Sequence, residues 1–364
     1  MSLKTLAISL FLLCATVGCR ADQDVWTRAF DVMWETRWQQ SGVMQPAVRW
    51  STVGDRVLRY SINPQAGAAN AGRVHEAMQR LTGVIGFTAR EVSPGSEEAQ
   101  IQFEIREFTQ EELRQASCFT RSTWKNFLYS KARVVLSERF AYRCVLHELM
   151  HAMGFPGHPQ GDTVLSYFEG NQLVLKPIDE FMLRAWYSDA IRPGMSALAA
   201  TRALNQLWIE QNVTDAERGK ARAAEQAWFD KTLASLEAFA FGQGEPPTIL
   251  YRSGRLSAQG LKAGLANVQG VLGFAYLNGA PVPRDASKAA ALLLLSAKNG
   301  PGNDGGLLAR MLVSGVWTQV TARPLCEWLK DTPRSQTGAT EAELAQAMKS
   351  PACAMGAAPD GQLR

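Results

Sequence analysis

The sequence contains no apolar run approaching the ~18 residues that a membrane-spanning helix needs, which excludes an integral membrane transporter. It also lacks an excess of either charge, with 38 Lys and Arg against 34 Asp and Glu and a formal net charge of +4. So even a balance leaves no electrostatic footprint for nucleic acid or an acidic membrane surface as the main partner. Nor is it the composition of a disordered chain, since 46% of the residues are hydrophobic and 20% charged. The 364 residues correspond to roughly two domains at about 150 residues each. Histidine is scarce, four in all, so the placement of each one carries information.

The first residues differ from the rest. Met1 to Lys4 forms a short basic segment, and Thr5 to Gly18 is apolar over the length of a secretory h-region. Thr16-Val17-Gly18-Cys19 resembles a bacterial lipobox, which implies lipidation of Cys19. Cys19-Arg20-Ala21 serves equally as a small-x-small cleavage site for plain secretion. Residues 1–21 are therefore expected to be a signal peptide or lipoprotein leader. The expected location is the bacterial periplasm or, as a lipoprotein, the outer membrane, with secretion also open and membrane contact only through the lipid. Export makes the six cysteines informative. Cys14 lies in the leader and Cys19 is lipidated or removed, leaving Cys118, Cys144, Cys326 and Cys353. Two disulfides are expected, with three connectivities available. Proximity favours Cys118–Cys144 and Cys326–Cys353.

The expected fold class is α+β, a mixed sheet with a prominent helix followed by an all-α region. Over residues 22–195, strand patterns at Arg56–Ile62, Phe87–Val92, Ala99–Arg106 and Ala132–Leu136 mix with helical patterns at Ala68–Leu81, Arg139–Met153 and Ile178–Ser188. Gly154 stands where a helix C-cap is expected. Residues 196–248 read as a helical linker and 249–322 as a region of Ala/Leu-rich helices. Residues 323–364 read as an irregular tail stapled by Cys326 and Cys353.

Three of the four histidines fall within the segment His147-Glu148-Leu149-Met150-His151-Ala152-Met153-Gly154-Phe155-Pro156-Gly157-His158. Positions i and i+4 share a helix face, so His147 and His151 can offer ring nitrogens to one metal ion. Glu148 is offset by one residue, placed to reach a water without being a ligand. Gly154 lets the chain turn sharply, so that a third ligand returns to the ion. His158 and Asp162 both stand at workable positions, and Glu180 ranks behind them. Three protein ligands and one open position describe a catalytic zinc site rather than a structural one. His75, alone in an earlier helix, reads as an ordinary surface residue.

HELMHAMGFPGH resembles the extended zinc-binding motif of the metzincin metallopeptidases, the clan of matrixins, serralysins and astacins. Val164 to Phe168 is similar to the segment carrying that clan's Met-turn and its following Tyr, here Tyr167. Leu175 to Tyr187 is similar to the C-terminal helix that opens with an Asp, here Asp179. Two departures stand out. His158 follows Gly154 by four residues where the clan has three, and Leu165 occupies the place of the turn methionine. The stretch from Cys144 to Met195 also resembles a bacterial family, domain of unknown function 2927, in which the histidines are often missing. This chain retains both helix histidines.

The resemblance implies a zinc metalloendopeptidase with Zn²⁺ as cofactor and a peptide or protein as substrate. Zinc polarises the scissile carbonyl and acidifies a water, and Glu148 serves as general base. Tyr167 is either a donor to the developing oxyanion or a packed aromatic beneath the ion. Asp179 is expected to cap its helix or hold the floor of the site rather than bind metal. Hydrolysis of a non-protein amide uses the same chemistry. Further on, Leu272-Gly273, Tyr276, Gly279, Val282, Asp285, Lys288-Ala289, Ala297 and Gly300 resemble a Sel-one-like helical repeat, a relative of the tetratricopeptide repeat, which implies a protein partner. The competing reading is a catalytically inactive envelope lipoprotein that acts through these repeats. The Trp-rich residues 22–52 either wrap the domain or cover its cleft.

Overall fold

The computed structural model describes residues 26–167, 173–250, 258–300, 304–313, 319–332, 337 and 339–353. The leader, Cys19 and Phe168 lie outside the described residues. The chain divides into two compact units, one of Met1–Gln39 with Gln45–Lys231, the other of Gln40–Met44 with Thr232–Arg364. The fold is α+β, with a five-stranded mixed sheet in the first unit and helices through the C-terminal part.

In the first unit, helix α1 (residues 26–35) precedes β1 (Val57–Ile62), α2 (Ala68–Val84), β2 (Thr88–Glu91), β3 (Ile101–Arg106) and α3 (Gln110–Gln115). Then come β4 (Cys118–Lys125), β5 (Leu128–Ser137), α4 (Ala141–Ala152), α5 (Pro177–Trp186), α6 (Ala197–Asn212) and α7 (Asp215–Ala240), the last ending in the second unit. The strand order is β2-β1-β3-β5-β4. All neighbouring pairs are parallel except β4 with β5, so β4 is an antiparallel edge.

Burial on one face dictates these elements. Ile101, Phe103 and Ile105 of β3 are buried and alternate with half-buried Gln102, Glu104 and Arg106, the period of a strand with one covered side. The covered face meets α2 and α4, which also pack on each other. Val74, Ala77, Met78 and Leu81 form the buried stripe of α2 at helical spacing. The opposite face carries charge, with Glu104 hydrogen-bonded to Arg133 and to Arg106. Every residue of α4 from Cys144 to Met150 is buried, so this helix runs through the core rather than along its surface.

The segment before β1 belongs to the core. Trp26, Phe30, Met33, Trp34, Trp38 and Trp50 are all buried. Phe30 meets Trp208 of α6 and Trp228 of α7, and Trp228 Nε1 donates to Asp31 across 2.8 Å. These aromatic side chains are thus part of the core of the first unit.

The second unit contains α8 (Ala258–Asn278), α9 (Ala286–Asn299), α10 (Asp304–Val313), α11 (Gln319–Asp331) and α12 (Glu341–Met348). Helices α8 and α9 pack closely through small residues. A Cβ added at Gly273 would lie 2.6 Å from Leu293 Cγ. Asp285 caps α9, accepting from Lys288 N at 2.9 Å. The tail expected to be irregular from Arg323 onward is helical at α11 and α12. Helix α11 continues through Pro324 because Leu325, Cys326 and Leu329 are buried around it, and packing outweighs one lost backbone hydrogen bond. Both expected disulfides are present, Cys118–Cys144 with Cα atoms 6.2 Å apart and Cys326–Cys353 at 5.6 Å. Paired cysteines accord with an oxidising environment. No described helix is long and apolar enough to cross a membrane.

Candidate metal centre

Helix α4 places His147 and His151 one turn apart, and His158 returns to them from the loop beyond Gly154. The three Nε2 atoms form a nearly equilateral triangle: 3.1 Å between His147 and His151, 3.0 Å between His151 and His158, and 3.1 Å between His158 and His147. Hydrogen bonding does not explain the His147–His151 side of this triangle. His147 Nδ1 lies 3.0 Å from the Val164 carbonyl and His151 Nδ1 lies 2.7 Å from the Phe155 carbonyl. A carbonyl only accepts, so each Nδ1 carries the proton and each Nε2 of a neutral ring presents a lone pair. Burial, with His151 adding to it, lowers the His147 pKa to about 3, and burial lowers that of His151 to about 4. Two neutral rings therefore aim lone pairs at one point, which is the geometry of ligands around a cation.

The triangle also has the right size. Its corners lie about 1.8 Å from its centre, just inside the about 2.0–2.1 Å of a zinc–nitrogen bond, so one ion can bond to all three. His147 is buried while His151 and His158 are partly exposed, which leaves one side of the group open. The backbone carbonyls at Val164 and Phe155 accept from the far nitrogens and so fix the tautomer and orientation of both rings, as acceptors behind metal-ligating histidines do. His147, His151 and His158 are thus a group that can hold a metal ion.

The remaining expected residues take definite places. Glu148 is buried beside the triad, and burial raises its carboxyl to about 8 against an opposing hydrogen bond from Thr120. Tyr167 is exposed and stacks on His158, with ring centroids 4.1 Å apart, and on His147 at 5.0 Å. Leu165 is fully buried where the turn methionine was expected. Asp162 is not in the group; its carboxylate pairs with Lys176 at 3.0 Å. Asp179 both caps α5 and holds the floor. Its Oδ2 accepts from Lys176 N and Val164 N, each at 2.9 Å, while Thr163 donates to its Oδ1. Glu180 pairs with Arg80 and Arg184. His75 stands apart, bonded to the Tyr60 hydroxyl at 2.7 Å.

Two glycines set the path to His158. Gly154 has φ +110°, and a Cβ there would meet the Val48 carbonyl oxygen at 2.4 Å and Trp186 Nε1 at 2.6 Å. A Cβ at Gly157 would meet the Glu35 carbonyl oxygen at 2.0 Å. The loop between them is held by α1 and the turn after it. Gly157 N donates to the Thr36 carbonyl at 3.0 Å, Gln160 N to Glu35 Oε2 at 2.7 Å, and Arg37 Nη2 to the Gly154 carbonyl at 2.8 Å. Sequence reasoning missed Glu35, Arg37 and Thr120. Their contacts span 28 to 125 positions, so no local spacing announces them. The only hint was the Trp-rich composition around Glu35 and Arg37.

No family model matches the chain, and neither a curated protein nor a solved structure matches it.

Proposed function

We propose that the first unit is an exported zinc metalloendopeptidase of metzincin type, in which His147, His151 and His158 hold the ion and Glu148 is the general base. The observation that carries this reading is the convergence of three Nε2 atoms at 3.0–3.1 Å with two Nδ1 atoms already committed to carbonyls. A zinc ion held there supplies Lewis acidity, polarising a carbonyl and making water nucleophilic near neutral pH. Glu148, on the same helix and one residue from His147, takes the proton of the attacking water in its ionised form, which burial disfavours and a bound cation would favour, and returns it to the leaving amine. Tyr167, exposed above His158, offers its hydroxyl to the developing oxyanion.

A peptide substrate is favoured over a small amide by the neighbouring strand. Among the described residues β4 pairs only with β5, and Thr120 of β4 touches Glu148. An extended peptide can add to that edge through backbone hydrogen bonds and so pass in front of the histidines. The disulfides support export, with Cys19 proposed as the lipid attachment point in the envelope. The α8–α9 pair supports a protein-binding role for the second unit, as a Sel-one-like repeat.

The test is zinc per chain by elemental analysis, on protein beginning near Asp22, alongside H158A and E148Q. About one zinc in the parent and E148Q, a marked loss in H158A, and peptide-library cleavage by the parent but not by E148Q is the expected result. Zinc without cleavage would favour the inactive interaction protein. Absence of zinc from protein purified without chelator overturns the metal centre itself.

A further inference from the structure

We infer that Thr120 is a positioning residue that fixes the Glu148 carboxylate in place for proton transfer. The functional sense of this inference rests on the peptidase reading above, while its structural content rests on geometry. Thr120 Oγ1 lies 2.8 Å from Glu148 Oε2 and 2.9 Å from the carbonyl oxygen of the same residue. One hydroxyl thus sits against both the backbone and the side-chain end of Glu148. A glutamate has three rotatable side-chain bonds, and on a helix alone its carboxylate is free to sweep through several rotamers. A group that moves protons must be held to within about 0.5 Å of its working place.

The rest of the neighbourhood makes Thr120 suited to that task. Glu148 is 1% exposed, and a buried carboxylate has to be held by hydrogen bonds or by charge. Among the described residues the Thr120 hydroxyl is the hydrogen-bond donor to this carboxylate. It engages one of the two carboxylate oxygens, Oε2. Thr120 is β-branched, so its own χ1 is stiff and the hydroxyl is a fixed reference. The Cys118–Cys144 disulfide joins the same strand to the same helix, two residues before Thr120 and four before Glu148. Strand and helix are covalently tied within one turn of the hydrogen bond they share.

The experiment compares T120V, which keeps the shape and removes the hydroxyl, with T120S, which keeps the hydroxyl, both in the full exported chain. Crystal structures report the Glu148 carboxylate. Binding of a peptide hydroxamate, whose hydroxyl needs a carboxylate acceptor beside the ion, reports its position without turnover. In T120V the carboxylate is expected to leave its place or occupy several. Hydroxamate affinity and kcat are each expected to fall about tenfold to a hundredfold, with KM within about twofold, zinc per chain unchanged, and T120S restoring most of the loss. An unmoved carboxylate together with unchanged hydroxamate binding in T120V overturns the inference. If the parent protein cleaves no peptide, the peptidase reading falls, and the position of Glu148 in T120V still decides whether Thr120 holds it.

Discussion

Arg37 Nη2 donates to the carbonyl oxygen of Gly154 across 2.8 Å, joining two points 117 residues apart at the bend that turns His158 back toward helix α4. The guanidinium is buried, packed over Trp186 at 4.0 Å and Phe155 at 5.1 Å, and among the described residues its Nη1 has no hydrogen-bond partner. Burial lowers its pKa to about 9, so it keeps its proton at neutral pH. A buried cation without a carboxylate is a poor way to gain stability. What it does gain is a fixed carbonyl at the start of the loop, with Thr36 and Glu35 holding the middle and the end.

Replacing this cation tests whether the clamp serves the metal. Arg37→Met keeps much of the volume and removes both the charge and the donor. The fold should survive, because an unpaired buried charge leaves with the hydrogen bond. Zinc affinity, measured by competition with a chromophoric chelator, should fall several-fold as the loop that carries His158 loses its anchor at Gly154. An R37M protein that holds zinc as tightly as the parent would falsify the clamp's role.

Asp179 makes a comparable prediction from the other side. It fixes Val164 N, and the Val164 carbonyl in turn accepts from His147 Nδ1. Asp179→Ala leaves the backbone donors of Val164 and Lys176 and the hydroxyl of Thr163 without their acceptor in a buried place. Such orphaned groups cost about 1–3 kcal/mol each when they stay dry. Thermal unfolding should therefore drop by several degrees, and zinc affinity should weaken as His147 loses its backing. Loss of stability with undiminished zinc affinity would confine Asp179 to capping α5.

The elements legible from sequence were those with one buried face. β1, β3 and α2 carry the periods that such burial imposes, and the histidine spacing on α4 is local. β4 was not legible. As an edge strand it buries little on either side, and Cys118–Lys125 shows no apolar alternation. Helices α3 and α12 are short and have few buried residues, yet each opens with a capping box, Thr109 with Glu112 and Thr340 with Glu343. That Thr-x-x-Glu spacing was the readable signal. Of the site, His147, Glu148 and His151 were legible because one helix carries them, and His158 because it follows a few residues after Gly154. Arg37, Glu35 and Thr120 were not, because only tertiary packing brings them there.

Gly157 offers a purely steric test of the loop. A Cβ there would overlap the carbonyl oxygens of Glu35 at 2.0 Å and Trp38 at 2.8 Å, both backbone atoms that cannot rotate away. Gly157→Ala must push the loop off the turn after α1. A cost of about 1–3 kcal/mol follows from overpacking of this kind, with His158 displaced and zinc per chain reduced. A control at Gly72 inside α2, where an added Cβ meets nothing within 4 Å, should leave zinc per chain unchanged and raise stability slightly, as Ala does over Gly in a helix. Equal behaviour of the two variants would mean that the backbone around Gly157 yields without disturbing His158.

The Cys118–Cys144 disulfide separates ligand geometry from the placement of Glu148. It joins β4 to α4 across 26 positions, and a bridge of that span typically stabilises by about 2–4 kcal/mol. None of the three histidines is on β4, so the double variant C118S/C144S should keep about one zinc per chain while its unfolding temperature falls. The strand end carrying Thr120 is then tied to the helix by hydrogen bonds alone. Peptide cleavage should decline more than zinc content does, and more steeply with temperature than in the parent. If zinc and cleavage are lost together in proportion to unfolding, the bridge acts only on stability; if zinc stays and cleavage drops, it helps hold strand and helix in the register that Glu148 needs.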